Sequence, residues 1–283
     1  MKKGLVLEGG SLRGLFSAGV MDVMMEHGVS FDGVVGVSAG AAFGCNYKSR
    51  QAGRAIRYNK RFANDWRYCS VRSFIETGDL FGAEYAYHYI PENEDIFDKE
   101  TFANNPTEFH VVCTSVTSGK PVYKKLERAD YDGLEWIRAS ASMPLASRIV
   151  ELESECLLDG GVSDSIPLKY FHDLGYERNV VILTQPLGFV KKQNPLMPLM
   201  KLKYSKYPEF VQAMLSRPEM YNAQTAYVSE SEKSGHTFVI RPAEPIKIGY
   251  TSHNPDDMQR VYETGREEGM KQIESIIEFL KLA

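Results

Sequence analysis

The sequence predicts an α/β layered fold, and three observations carry that expectation. Short apolar runs of strand character alternate with helix-period segments from one end of the chain to the other. The first run, Leu5-Val6-Leu7-Glu8, enters a glycine-rich loop, Gly9-Gly10-Ser11-Leu12-Arg13-Gly14, and then an apolar-periodic helix. The second is valine-rich over 33–37 and ends in Gly36-Val37-Ser38-Ala39-Gly40, a G-x-S-x-G followed by small residues suited to opening a helix.

The 283 residues are 43% hydrophobic and 25% charged, with a net charge of -4, which is room and composition for one large α/β domain or two small ones. A balance so near neutrality argues against a dedicated nucleic-acid binder, and no nucleic-acid partner is expected. Cys45, Cys69, Cys113 and Cys156 are widely spaced with no C-x-x-C, and apolar neighbours predict buried free thiols of a reducing compartment. Lys2-Lys3 is followed by only three apolar residues before Glu8, too few for a secretory signal core. No stretch has the length of a membrane-spanning helix, and the expected location is cytoplasmic.

The helix after the first loop carries Leu15, Phe16, Val20, Val23 and Met24 and closes at Gly28. Strand, glycine-rich loop and helix together make an anion site at a helix N-terminus, which allows three readings. As a nucleotide loop, Gly9-x-Ser11-x-x-Gly14 lacks the middle glycine of G-x-G-x-x-G, and the next strand ends without an acid for a ribose. It can be a purely structural turn. The economical reading is an oxyanion hole, its backbone N–H groups facing Ser38 on the very next strand-to-helix turn. At that elbow the serine is expected in a strained conformation with its hydroxyl projecting.

Arg50, Arg54, Arg57 and Arg61 then fall at helical spacing, and Asp65 is the only acid between Asp32 and Glu76. This is either a solvated face or a site for an anion or head group. A polar connector is expected over 93–106. Strands are expected at 109–114 and 122–123, and a helix over 131–140. Paired strands follow at 149–150 and 156–158, the second ending in Asp159-Gly160-Gly161. A helix over 166–174 closes at Gly175 before a buried strand at 180–184.

Over 186–207 there is no acid, and lysines alternate with leucines and methionines around Pro195 and Pro198. The segment reads as a lid touching anionic lipid, or as a loop packed on the core with its lysines in solvent. After a strand at 237–240, the last helix, 256–282, carries one stripe, Met258, Val261, Tyr262, Gly265, Gly269, Ile273, Ile276, Ile277 and Leu280, and docks on the core. The chain thus divides into a catalytic core, 1–185, and an extension, 186–283, in one compact unit.

A serine needs a base. Ser38, Asp159 and then His236 or His253 follow the nucleophile–acid–histidine order of α/β-hydrolases, but those place several strands before the nucleophile and only one precedes Ser38. Asp159, at a strand end before two glycines, can point its carboxylate into a neighbouring turn; Asp-Gly is equally a common hairpin signal.

Glu8-Gly9-Gly10-Ser11-Leu12-Arg13-Gly14, the Gly36-to-Gly40 elbow, Ala139-Ser140-Ala141-Ser142-Met143-Pro144 and Asp159-Gly160-Gly161 occur in an order and spacing that resembles the patatin-like phospholipases, over residues 4 to about 185. The resemblance implies a three-layer α/β/α patatin-like fold with a largely parallel central sheet, here followed by a C-terminal helical extension. It implies a Ser38–Asp159 dyad with no histidine, metal or cofactor. The oxyanion hole would be Gly9, Gly10, Ser11 and Leu12, supported by Arg13, Gly14, Gly36, Gly40, Gly160 and Gly161. The family's loop usually reads Asp-Gly-Gly-Gly, so Glu8 and Ser11 depart from it. A positive φ at Ser11 would cost stability or tilt an N–H. The expected function is hydrolysis of carboxylic esters of lipids, a phospholipid or lysophospholipid, with peripheral membrane contact. Arg13, Arg50, Arg54, Arg57 and Arg61 are head-group contacts in this reading. The rival is a Rossmann-type nucleotide- or anion-binding module that uses the 9–14 loop with Ser38 as bystander.

Overall fold

In the computed structural model, which describes residues 1–281, the chain runs β1 (Lys2–Leu7), α1 (Gly14–Glu26), β2 (Gly33–Val37), α2 (Ala39–Lys48), α3 (Arg54–Phe62) and α4 (Val71–Thr77). A wide-turned helical stretch, Tyr85–Glu94, leads to α5 (Lys99–Asn104), β3 (Glu108–Ser115), β4 (Pro121–Lys125) and α6 (Tyr131–Ser140). Then come β5 (Val150–Leu152), β6 (Glu155–Asp159), α7 (Leu168–Asp173), β7 (Tyr176–Ile182) and α8 (Met197–Lys203). The chain closes with α9 (Pro208–Lys233), β8 (Thr237–Ile240) and α10 (Pro255–Lys281).

The sheet has the order β5-β6-β3-β2-β1-β7-β8, with β4 also on β3. The five strands β3, β2, β1, β7 and β8 are parallel, and β4, β5 and β6 join antiparallel at one side. The two-residue period of a strand sorts the side chains into two cores. Leu5, Leu7, Val34, Phe109, Val111, Val180 and Ile182 pack with α1, α2, α6 and α10. Val6, Val35, Val37, Val112, Val181 and Val239 face the other way, onto Leu168 and Phe171 of α7 and Tyr221 and Val228 of α9. Helices therefore cover both faces, which is why β2 is apolar on both and the middles of β1, β3 and β7 are mostly so.

The apolar stripe of α10 is buried along α1 as the sequence predicts, and the expected last residue of that helix, Leu282, lies outside the described residues. Gly19 and Gly265 let the two backbones meet, since a Cβ on Gly265 would overlap the Phe16 carbonyl. Tyr262 donates to Asp22 Oδ2 across this contact (2.7 Å). Elsewhere the structure differs from the sequence expectation. The supposed connector over 93–106 is mostly helical, with Phe97 and Phe102 in the core. Within 186–207, α8 turns Met197 and Met200 inward with Tyr204, and leaves Leu196, Leu199 and Leu202 exposed. All four cysteines are free, and three are buried. No described helix is long and apolar enough to cross a membrane.

Candidate active site

The register of β3 explains how two residues 121 apart in sequence come together. Residues 110–112 of β3 pair with β2 on one edge and β4 on the other, while 113 and 114 pair with β4 and β6. β6 therefore takes over the β2 edge at the point where β2 stops. Val37 pairs Val112 and Asp159 pairs Cys113, so the two strands run head to head and deliver Ser38 and Asp159 to one spot at the end of the sheet.

Ser38 sits at φ 57° and ψ -122°, between β2 and α2, a strained conformation for a residue with a side chain. Close packing enforces it. A Cβ on Gly40 would lie 2.5 Å from the Leu7 carbonyl oxygen, and one on Gly36 would strike the Gly40 backbone. The end of α6 buckles the site from behind. Ser140 Oγ accepts from the Ser38 N–H (2.9 Å) and donates to the Val112 carbonyl (2.6 Å). Two residues on, the Ser142 carbonyl accepts from the Asp159 N–H (2.9 Å), so one short motif fixes both residues.

Asp159 is buried, and its Oδ1 accepts from the Gly161 N–H (2.8 Å). Burial holds its carboxyl above the usual carboxylate range; the Arg217 guanidinium, the Ser38 hydroxyl, the Gly161 N–H and Lys191 pull in the opposite direction. A hydroxyl beside a carboxylate of raised proton affinity is a pair able to pass a proton.

The glycine-rich loop lies directly over the elbow, where a Cβ on Gly9 would stand 2.9 Å from Ser38 Cβ. Ser11 adopts φ 50°, the positive value the sequence raised as a cost, and its hydroxyl donates to the Tyr250 carbonyl (2.8 Å). Leu12 and Gly14 pack inward, and Arg13 extends along the loop to the Tyr250 ring. Glu8 is buried, with Oε2 on the Thr184 N–H (2.6 Å) and Oε1 on the Tyr221 hydroxyl (2.7 Å). Gly160 and Gly161 turn the chain after Asp159 into a short helical turn.

An apolar pocket is lined by Ser11, Leu12 and Ser38 together with Phe43, Tyr58, Phe81, Ile90, Leu134 and Met143. The arginines of α3 are engaged by partners within the chain. Arg54 is buried against Asn46 and Asp95, Arg57 pairs with Asp95 (2.6 Å) and Arg61 with Glu94 (2.5 Å), while Arg50 sits exposed past the end of α2. Arg54, Arg57 and Arg61 thus meet acids from the stretch expected as a polar connector. His236 precedes β8 at the opposite end of the sheet from Ser38, and His253 is bonded to the Ala63 carbonyl. The residues that sequence reasoning missed are Thr184, Arg217 and Tyr221, none of which stands in a motif.

Fold and site define an α/β protein with a serine elbow, a facing glycine-rich loop and an adjoining buried aspartate. Residues 5–172 match the patatin-like phospholipase family, and the chain belongs to it; residues 207–281 match a domain of unknown function, DUF6363. Among relatives, the uncharacterized protein YjjU of Escherichia coli is 32% identical over 199 residues, 64% of this chain and 52% of that protein. Lysophospholipase nte1 of Aspergillus oryzae is 29% identical over 205 residues, 68% of this chain and 12% of that one. The chain thus spans about half of the former and about an eighth of the latter. VipD of Legionella pneumophila aligns over 97% of this chain and 67% of its own, at a TM-score of 0.47 and 15% identity, too distant to carry weight.

Proposed function

We propose that this protein is a serine acyl hydrolase that cleaves carboxylic esters of lipids, a phospholipid or lysophospholipid, through a Ser38–Asp159 dyad. The observation that carries this reading is the meeting of β2 and β6 on one edge of β3, at the mouth of an apolar pocket. The acyl chain occupies the pocket with its carbonyl at Ser38. Ser38 Oγ attacks that carbon as its proton passes to Asp159, and the carbonyl electron pair moves onto the oxygen. N–H groups of Gly10, Ser11 and Leu12, at the N-terminal end of the loop's helical turn, receive that oxyanion. Collapse expels the alcohol, which takes the proton from Asp159. Water then repeats the sequence on the acyl-enzyme and releases the fatty acid.

The loop's position against Ser38 supports the oxyanion role over nucleotide binding. Contact with an anionic membrane fits the exposed Leu187, Val190, Leu196, Leu199 and Leu202 among Lys192, Lys201, Lys203 and Lys206. The test is labelling by a fluorophosphonate read by intact mass, followed by a panel of lysophospholipids and neutral esters. One adduct on the wild type, absent from Ser38→Ala and slowed about 100-fold or more in Asp159→Ala, is expected. Absence of any adduct on the wild type refutes the proposal, and normal labelling of Asp159→Ala refutes the dyad.

A further inference from the structure

The segment 207–281 matches a domain to which no function is attached, and α9 is its first helix. Along α9, Met214, Arg217, Tyr221, Gln224 and Val228 advance by three or four residues and form a single stripe. Its ends are apolar and its middle polar, and each of the three polar side chains reaches a loop of the candidate site. Arg217 Nε donates to the Gly161 carbonyl (2.5 Å). Tyr221 donates to Glu8 Oε1 (2.7 Å), while Glu8 Oε2 takes the Thr184 N–H and the Thr184 hydroxyl donates to the Gly9 carbonyl (3.1 Å). Gln224 Oε1 accepts from the N–H groups of Ser165 (3.1 Å) and Ile166 (3.0 Å), and its amide donates to Asp164 (2.6 Å).

We propose that α9 is a working part of the active site: its polar stripe clamps the 8–12 loop and the 159–166 loop together, and Arg217 is a positioning residue for Asp159. The inference rests on the hydrolase reading above. Its geometry is direct. A Cβ on Gly161 would stand 3.0 Å from Asp159 Oδ1 and 3.1 Å from Arg217 Nη2, so carboxylate and guanidinium flank the same glycine. A side chain there would crowd both the cation from α9 and the acid from β6.

Asp159 is also faced by Lys191 from the segment before α8, by Ser38, by Tyr87 from the stretch before α5 and by Cys113 of β3. Burial raises both Tyr87 and Cys113, so they stay neutral over the working range. Lys191 is pulled down to about 8 by burial, with Arg217 and Arg13 adding to the effect against Glu8 and Asp159. Its loss of charge falls on the alkaline side, and of the two acids beside Lys191, Glu8 and Asp159, both raised by burial, it is Asp159 that Arg217 faces.

The test uses the full chain, with Ser38→Ala as control and three variants, Arg217→Met, Arg217→Lys and Tyr221→Phe. Labelling rate against pH is read alongside hydrogen exchange by mass spectrometry. Without the guanidinium charge the Asp159 carboxylate is harder to form, so the acidic limb of Arg217→Met moves up by roughly one pH unit and its rate falls about 10- to 100-fold. Arg217→Lys restores the limb. Tyr221→Phe leaves the limb in place while exchange rises over 8–14, and Arg217→Met raises it over 159–166, with β3 and α10 unchanged in both. An unmoved limb in Arg217→Met, or wild-type exchange in both loops, overturns the clamp. A wild type that takes no label sinks the hydrolase reading instead, and the exchange arm still decides whether α9 holds the loops.

Discussion

Replacing Asp159 by asparagine is expected to make the protein more stable at neutral pH and nearly inactive. The substitution keeps shape, and the amide oxygen can still accept the Gly161 N–H that Oδ1 accepts at 2.8 Å. What it removes is a charge. Burial raises the carboxyl above its ordinary 3.8 despite the combined pull of Arg217, Ser38, Gly161 and Lys191, so the fold favours the neutral form relative to the unfolded chain. Each pH unit of that displacement corresponds to about 1.4 kcal/mol. Below pH 3.8 the group is protonated folded and unfolded alike, and the two proteins match. As pH rises through the raised folded value, the wild type loses stability that the variant keeps, and the gap then stays constant. Asp159→Asn is therefore the more stable protein at pH 7 and unfolds at the higher Tm. Urea unfolding at pH 4 and pH 7 measures the gap, while labelling should fall about 10²- to 10⁴-fold. A variant less stable than the wild type at pH 7, by the same margin as at pH 4, would refute the reasoning.

Three further perturbations probe separate parts of the molecule. Gly40→Ala puts a carbon 2.5 Å from the Leu7 carbonyl oxygen, which neither strand end nor elbow can avoid, so a loss of about 2–3 kcal/mol and of labelling is expected by thermal unfolding and intact mass. Tyr262→Phe leaves buried Asp22 with only the Gly53 N–H (2.8 Å) on Oδ2 and should cost about 1–2 kcal/mol. Because burial already raises Asp22 and the phenol favours its ionised form, that loss should be larger at pH 7 than at pH 4 in denaturant unfolding. Leu199→Asp with Leu202→Asp on the exposed side of α8 should weaken co-sedimentation with phosphatidylserine vesicles about 100-fold, with turnover of a soluble short-chain ester unchanged; unchanged sedimentation would dismiss the membrane contact.

The sequence made the centre of the site legible because its signals are local. A valine run ending in G-x-S-x-G is a strand, a forced turn and a helix within ten residues, and the stripe of α10 is apolar at every inward position. The partners of Arg54, Arg57 and Arg61 were hidden for the opposite reason. Their acids, Asp95 and Glu94, lie over 30 residues away, in a stretch whose polar composition hides its helical turns. α9 was hidden more deeply. Its inward stripe has helical spacing and apolar ends in two cores, but the middle of that stripe is arginine, tyrosine and glutamine, which meet polar loops. Hydrophobic periodicity registers weakly where polar side chains interrupt the buried stripe.

The two departures from the usual Asp-Gly-Gly-Gly loop fall where the C-terminal half of the chain reaches in. Glutamate carries one more methylene than aspartate, and here its carboxylate spans from the Thr184 N–H to the Tyr221 hydroxyl of α9. Ser11 accepts a left-handed φ that costs about 1 kcal/mol in a residue with a side chain, and its hydroxyl recovers a bond of similar worth at the Tyr250 carbonyl, just ahead of α10. Between the two departures, Gly9 keeps its close approach to Ser38. Both exchange backbone freedom in the loop for a tie to the extension. The loop is thus tied to α9 on one face of the sheet and to the segment ahead of α10 on the other.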